Sequence, residues 1–137
     1  MSKYSERCEH CGSIKNFYQH KINKPMVSAL LQLYRIGRPV NLQKDLKLTK
    51  NQYNNFQKLQ YLFLVEPVMG SSSWFITKSG KEFIENTLTI CNSGFTFGGE
   101  ILHHDDELVK RLRCHYEFVT VEEVVKEDYQ KLVDYIK

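Results

Sequence analysis

The chain has 137 residues, 42% of them hydrophobic and 26% charged, enough for one ordinary core and typical of a soluble protein. Its longest purely apolar run, Tyr61 to Val65, is far too short to cross a bilayer. The first 24 residues scatter Lys3, Arg7, Lys15, Lys21 and Lys24 among polar residues where a secretory leader would be apolar, so a cytoplasmic protein with no membrane partner is expected.

The net charge of +3 hides an asymmetry. Residues 1–87 carry 13 Lys or Arg against 6 Asp or Glu, whereas residues 88–137 carry 6 against 10. The first part is therefore suited to a phosphate-bearing partner and the last third is acidic. Cysteines at positions 8, 11, 91 and 114 do not have the pattern of a secreted disulfide framework.

The first motif is Cys8-Glu9-His10-Cys11-Gly12. Two cysteines three apart can aim both sulfurs at one ion, and a glycine after the second permits the positive φ that turns amides toward them. Structural zinc takes four such ligands. The remaining donors are His10, His20, Cys91, His103, His104, Cys114 and His115, and no spacing selects among them. Three readings stay open: a zinc site completed within the chain, a four-thiolate site shared by two chains, or a metal-free knuckle held by backbone hydrogen bonds and Phe17 and Tyr18. A redox role is not expected, because no βαβ pattern surrounds the motif.

Residues 25–88 form the next unit. Met26, Val27, Leu30, Leu31, Leu33 and Tyr34 recur at helical spacing, with Pro25 in the first turn and Gly37 and Pro39 as the stop. Val40 suits a stub strand. Asn41 caps a short second helix that buries Leu42 and Leu46 and exposes Lys44 and Lys47. Thr49 caps a longer third helix with Tyr53, Phe56, Leu59 and Phe63 on its apolar face and Lys50, Asn51, Asn54, Gln57, Lys58 and Tyr61 on the other. Amides and ammonium groups on one exposed helical face suit base edges and phosphates. A strand over Leu64 to Pro67, a turn at Gly70-Ser71-Ser72-Ser73, a strand at Trp74-Phe75-Ile76 and a helix capped by Thr77 complete the unit.

This order resembles a winged helix-turn-helix, and Thr77-Lys78-Ser79-Gly80-Lys81-Glu82-Phe83 resembles the T-x-x-G-x-x-F closure of MarR-like winged helices. Two departures stand out. Phe63 occupies the position where such proteins often carry a glycine before the strand, and the wing lacks Lys and Arg. The C-x2-C-G element followed by a winged helix also resembles small, mostly uncharacterised bacteriophage and prophage proteins. That resemblance implies a phage or bacterial setting and brings no activity with it.

In residues 89–137, short apolar runs around an Asn92-Ser93-Gly94 turn and a Gly98-Gly99 pair predict a small antiparallel sheet. His103-His104-Asp105-Asp106 reads as a turn leading into a helix over 105–113, followed by an edge strand from Cys114 to Phe118. Thr120-Val121-Glu122-Glu123 is a capping box that opens a final helix, which either docks on the winged helix or forms a dimer interface. No catalytic constellation assembles, so an enzyme is not expected.

The expectation is an α+β protein with a CxxC knuckle and linker at 1–24, a winged helix-turn-helix at 25–88 and a small sheet plus helix at 89–137. Its expected function is binding double-stranded DNA as a phage-type transcription regulator. Lys44, Lys47, Lys50, Asn51, Asn54, Gln57, Lys58 and Tyr61 would touch DNA, and Cys8 and Cys11 would hold a structural zinc. The alternative is a module that binds and modulates a host enzyme or polymerase; a homodimer is compatible with either.

Overall fold

A computed structural model describes residues 4–136 as a mixed α+β protein. Its described strands form three sheets, of four, three and two strands. Strands β1 (Tyr4–Arg7) and β2 (Ile14–Lys21) form a hairpin closed by the CxxC segment, with Cys8 N donating to Ser13 O at 2.7 Å and Gly12 N to Cys8 O at 2.9 Å. The residues expected to link the knuckle to the first helix are thus strand β2.

Helix α1 (Lys24–Ile36) starts where the Asn23 side chain accepts the Met26 N–H at 3.1 Å. It ends where Gly37, at φ 74°, donates its N–H to Leu33 O. Met26, Val27, Leu30 and Leu33 face inward, as their spacing predicts. The stub β3 (Val40–Asn41) follows.

The expected second helix is a single turn: the Asn41 side chain accepts the N–H groups of Gln43 and Lys44, and Asp45 N donates to Asn41 O. The expected long third helix is two short ones, α2 (Lys50–Asn55) and α3 (Lys58–Tyr61). Between them the hydrogen bonds tighten to i→i−3, from Phe56 N to Tyr53 O and from Leu59 N to Phe56 O. The side-chain amide of Asn55 donates to the carbonyl of Asn51, a local competitor to the helical ladder. The tightening changes the helical phase. Phe56 and Leu59 are buried, but Tyr53 and Phe63, expected beside them, are exposed.

Strands β4 (Val65–Pro67) and β5 (Ser73–Ile76) form the next hairpin, and β3 pairs with β5 to give the order β3-β5-β4. Phe63 adopts φ 63° immediately before this hairpin, so a bulky residue takes the left-handed conformation that a glycine would adopt freely. Helix α4 (Lys78–Ile84) is capped by Thr77 as expected.

Beyond α4 the expectations depart furthest. Strand β6 (Ile90–Cys91) pairs with the distant β9 (Phe118–Val119). The Asn92-Ser93-Gly94 turn is absent, because Ser93 and Gly94 lie within β7 (Ser93–Phe97). That strand pairs on one edge with β2 and on the other with β8 (Glu100–Leu102), making a four-stranded antiparallel sheet β1-β2-β7-β8. Strands near the start of the chain and strands of residues 93–102 thus build one sheet. Helix α5 (Glu107–Arg111), capped by Asp106, is shorter than expected, and of residues 114–118 only Phe118 is strand, together with its neighbour Val119.

The final helix is also divided, into α6 (Val121–Val125) and α7 (Tyr129–Ile136), around a 3-10 turn that begins at Lys126 with φ 50°. Val121, Val125 and Leu132 join the same core as Leu30, Leu59, Val65 and Phe83. Docking is reinforced by Arg35 Nη1 donating to Tyr135 O at 2.7 Å and by Lys24 Nζ 2.7 Å from Glu127. A second, smaller core of Phe17, Phe95 and Val109 lies beneath the four-stranded sheet.

Candidate nucleic-acid interface

Most of the polar row expected to touch DNA is built on α2. Its start is fixed by a capping box: Thr49 Oγ1 accepts from Gln52 N, and Gln52 Oε1 accepts from Thr49 N. The preceding loop is held by Gln32, whose side-chain amide accepts from Lys47 N and donates to Lys47 O, each at 2.9 Å. Gln43 Nε2 donates to Tyr53 OH at 3.1 Å and ties the single turn to α2. Rigid anchoring of the backbone leaves Lys44, Lys47, Lys50, Asn51, Asn54 and Gln57 exposed. Asn51 Oδ1 already accepts from Asn55 Nδ2 at 2.7 Å, so a donor role is what its amide can add.

Two residues expected on this face are only half-exposed, because α3 turns toward the four-stranded sheet. Tyr61 rests on β7, where its Cβ and carbonyl lie against Gly94, and its ring centroid is 4.8 Å from that of His20. The charge of Lys58 acts on His20. The outward α2 row and the pair Lys58 and Tyr61 therefore belong to two adjoining surfaces.

The β4–β5 turn stands beside this row. Val68 N donates to Ser73 O at 2.8 Å, and Asn41 Nδ2 donates to Ser72 Oγ at 3.0 Å, joining β3 to the turn. Met69 is 98% exposed at the tip.

At the other end of the molecule, Cys11 is exposed and Cys8 half-buried on the β1–β2 hairpin. Cys11 Sγ lies 2.9 Å from Ser13 Oγ. That hydroxyl, with the Ser13 backbone and the neighbouring Cys8 thiol, lowers the Cys11 pKa to about 7. Among the described residues, no group of three or more His, Cys, Asp or Glu side chains gathers in a metal-holding arrangement. Of the other expected donors, His20 has its Nε2 3.0 Å from Thr96 Oγ1, and burial raises the Cys91 pKa.

Sequence reasoning missed a row of rings. His103 and His104 stack at 4.1 Å, His103 lies 5.8 Å from Phe63, and His104 meets Phe118 at 5.1 Å. These side chains line an open cavity of about 310 Å³ with Tyr61 and Leu102. Burial, followed by the nearby His103, lowers the His104 pKa. The adjacent His103-His104 pair was the available signal, but Phe63 and Phe118, which meet it, lie outside its local sequence.

Comparisons of the chain with protein-family models, curated proteins and solved structures find no match. Among the described residues no helix is long and apolar enough to cross a membrane.

Proposed function

We propose that this chain binds double-stranded DNA through a winged-helix unit and acts as a phage-type transcription regulator. The observation that carries the reading is the α2 surface: a firmly capped helix presents Lys50, Asn51 and Asn54 outward, flanked by Lys44, Lys47 and Gln57. The β3-β5-β4 sheet and helices α1 and α4 supply the packed frame behind it. In such a frame the N-terminal residues of the reading helix contact base edges in the major groove. Lys44, Lys47 and Lys50 supply phosphate contacts, and Asn54 can pair with adenine.

The test is fluorescence anisotropy with mixed-sequence duplex DNA over a salt series. Affinity falls log-linearly, with a slope of about −0.9 per phosphate neutralised. Lys47→Glu with Lys50→Glu abolishes binding while the far-UV circular dichroism stays native. Unchanged affinity in that double variant sinks the α2 surface. Failure of the parent to bind at low salt favours the second reading, a module docking on a host enzyme or polymerase, for which the uncharged turn and the exposed Met69 speak.

For the β1–β2 hairpin we propose a structural zinc shared with a second copy. Cys8 and Cys11 supply two thiolates, half of a tetrahedral site, and Gly12 at φ 73° shapes the turn beside them. Half a zinc per chain and a dimer that chelator dissociates support this; a zinc-free monomer after purification with added zinc excludes it.

A further inference from the structure

The four-stranded sheet has one filled face and one open face. Antiparallel register puts Phe17, Gln19, Phe95, Phe97 and Leu102 on the first, over Val109 of α5. The second face carries Arg7, Ile14, Tyr18, His20, Thr96 and Ile101, since directly paired residues share a face. Tyr18 and Ile101 are each 39% exposed there, and Ile14 is 55% exposed. Helix α3 packs on this face at β7, where Gly94 has no side chain to obstruct Tyr61 and Thr96 is buried.

On this open face the rings form a row. Tyr18 and His20 centroids lie 6.2 Å apart with planes inclined by 37°, and His20 and Tyr61 lie 4.8 Å apart with planes inclined by 38°. The His20–Thr96 hydrogen bond orients the middle ring. Charge on the face has one sign. The two carboxylates of the sheet strands, Glu6 and Glu100, pair with Lys15 and Phe97 and so belong to the filled face. Arg7 belongs to the open face, and Lys58 reaches its edge beside His20.

We infer that this open sheet face binds unpaired nucleobases of a single-stranded nucleic acid, with Tyr18 as the exposed stacking platform and Arg7 and Lys58 as phosphate contacts. An aromatic ring offers every base a π-face, and flanking cations follow the sugar–phosphate chain. A purely apolar partner would have no use for the cations, and an acidic protein would have no use for a row of rings. Charge complementarity and ring geometry together favour the nucleic acid. The inference does not rest on duplex binding, because Tyr18 and Arg7 lie outside the α2 row.

Labelled oligothymidylate and oligouridylate, titrated with the full chain, test it. The two differ in the sugar 2′-hydroxyl and in the 5-methyl of the base, and repeating the titration with oligodeoxyuridylate, which differs from oligouridylate in the sugar alone, assigns a preference to DNA or RNA. Binding that weakens with salt is expected, and Arg7→Gln reduces the slope by about 0.7. Tyr18→Ala weakens binding about tenfold, in the range that stacking of one base provides. Tyr18→Phe retains the affinity and Tyr18→Leu loses it, because Leu keeps apolar bulk without a π-face. Lys131→Gln, on α7 and outside both surfaces, leaves single-strand binding unchanged. Absence of binding to either strand overturns the inference, as does full affinity in Tyr18→Leu. Failure of duplex binding alone leaves these readouts intact, so the two readings fail separately.

Discussion

Tyr61 lies directly on Gly94: a β-carbon at residue 94 would stand 2.6 Å from Tyr61 Cβ and 2.8 Å from its carbonyl oxygen. This close approach joins the helical unit to the four-stranded sheet and places α3 against β7. Gly94→Ala is therefore expected to destabilise the protein by about 1–3 kcal/mol through overpacking. Urea denaturation measures it, and a variant within 0.5 kcal/mol of the parent, on the order of the scatter for innocuous surface changes, would deny the contact its role.

Phe63 occupies the left-handed region at φ 63° with its side chain 48% exposed. Strain there costs roughly 1–2 kcal/mol in a residue with a β-carbon and is greater for a β-branched one. Phe63→Asn is expected to leave stability unchanged or raised, because Asn tolerates this conformation. Phe63→Val lowers stability by about 1–2 kcal/mol. Equal melting of the Asn and Val variants would contradict the backbone assignment.

Thr77 bridges the two sides of that same turn. Its hydroxyl accepts the Gly80 N–H at 3.0 Å to cap α4 and donates to Phe63 O at 2.8 Å. Thr77→Ala is expected to cost about 1–2 kcal/mol, the upper part of the range for losing a cap. Thr77→Ser, which keeps the hydroxyl, should recover most of it; a Ser variant as unstable as Ala would assign the loss to the methyl group instead.

His20 supplies a pH dependence. Burial, followed by the positive charge of Lys58, lowers its pKa below the ordinary 6.5. The unfolded chain takes up this proton first, so stability contributed by neutral His20 is complete above pH 6.5 and is lost as pH falls toward the folded-state value. His104, also lowered by burial, acts in the same direction. His20→Gln should flatten the decline of the thermal midpoint below neutrality, and NMR titration should put the His20 midpoint below that of an unfolded peptide. A raised midpoint would reverse the assignment.

Much of the local architecture is legible in single residues. Thr49, Thr77 and Thr120 each cap a helix at the position their sequence context indicates, and Asp106 caps α5 just inside the expected start at 105. Gly37 stops α1, and the turn before Ser73 reverses the chain between β4 and β5. Each depends on one side chain or one backbone conformation and on neighbours within about four residues. The capped α2 surface was visible for the same reason, up to Gln57.

The rest depended on contacts across the chain. Asn92-Ser93-Gly94 has turn composition, yet Ser93 and Gly94 are strand residues, because β2 on one edge and Tyr61 above leave room only for a glycine backbone. Lys58 and Tyr61 left the α2 row once the helix tightened at Phe56, which turns its ring edge-on to Trp74 at 5.5 Å. The final helix breaks at Lys126, where Lys24 binds Glu127 and Asp128 of the 3-10 turn. The sequence by itself determined the side-chain-capped starts of α1, α2, α4 and α6 and the stop at Gly37, since hydrogen bonding of a side chain to nearby backbone is a local matter. Only the tertiary structure decided which strands pair and which rings meet. His20 and Thr96 bond across 76 positions, and periodicity marks such residues as half-buried without naming what buries them.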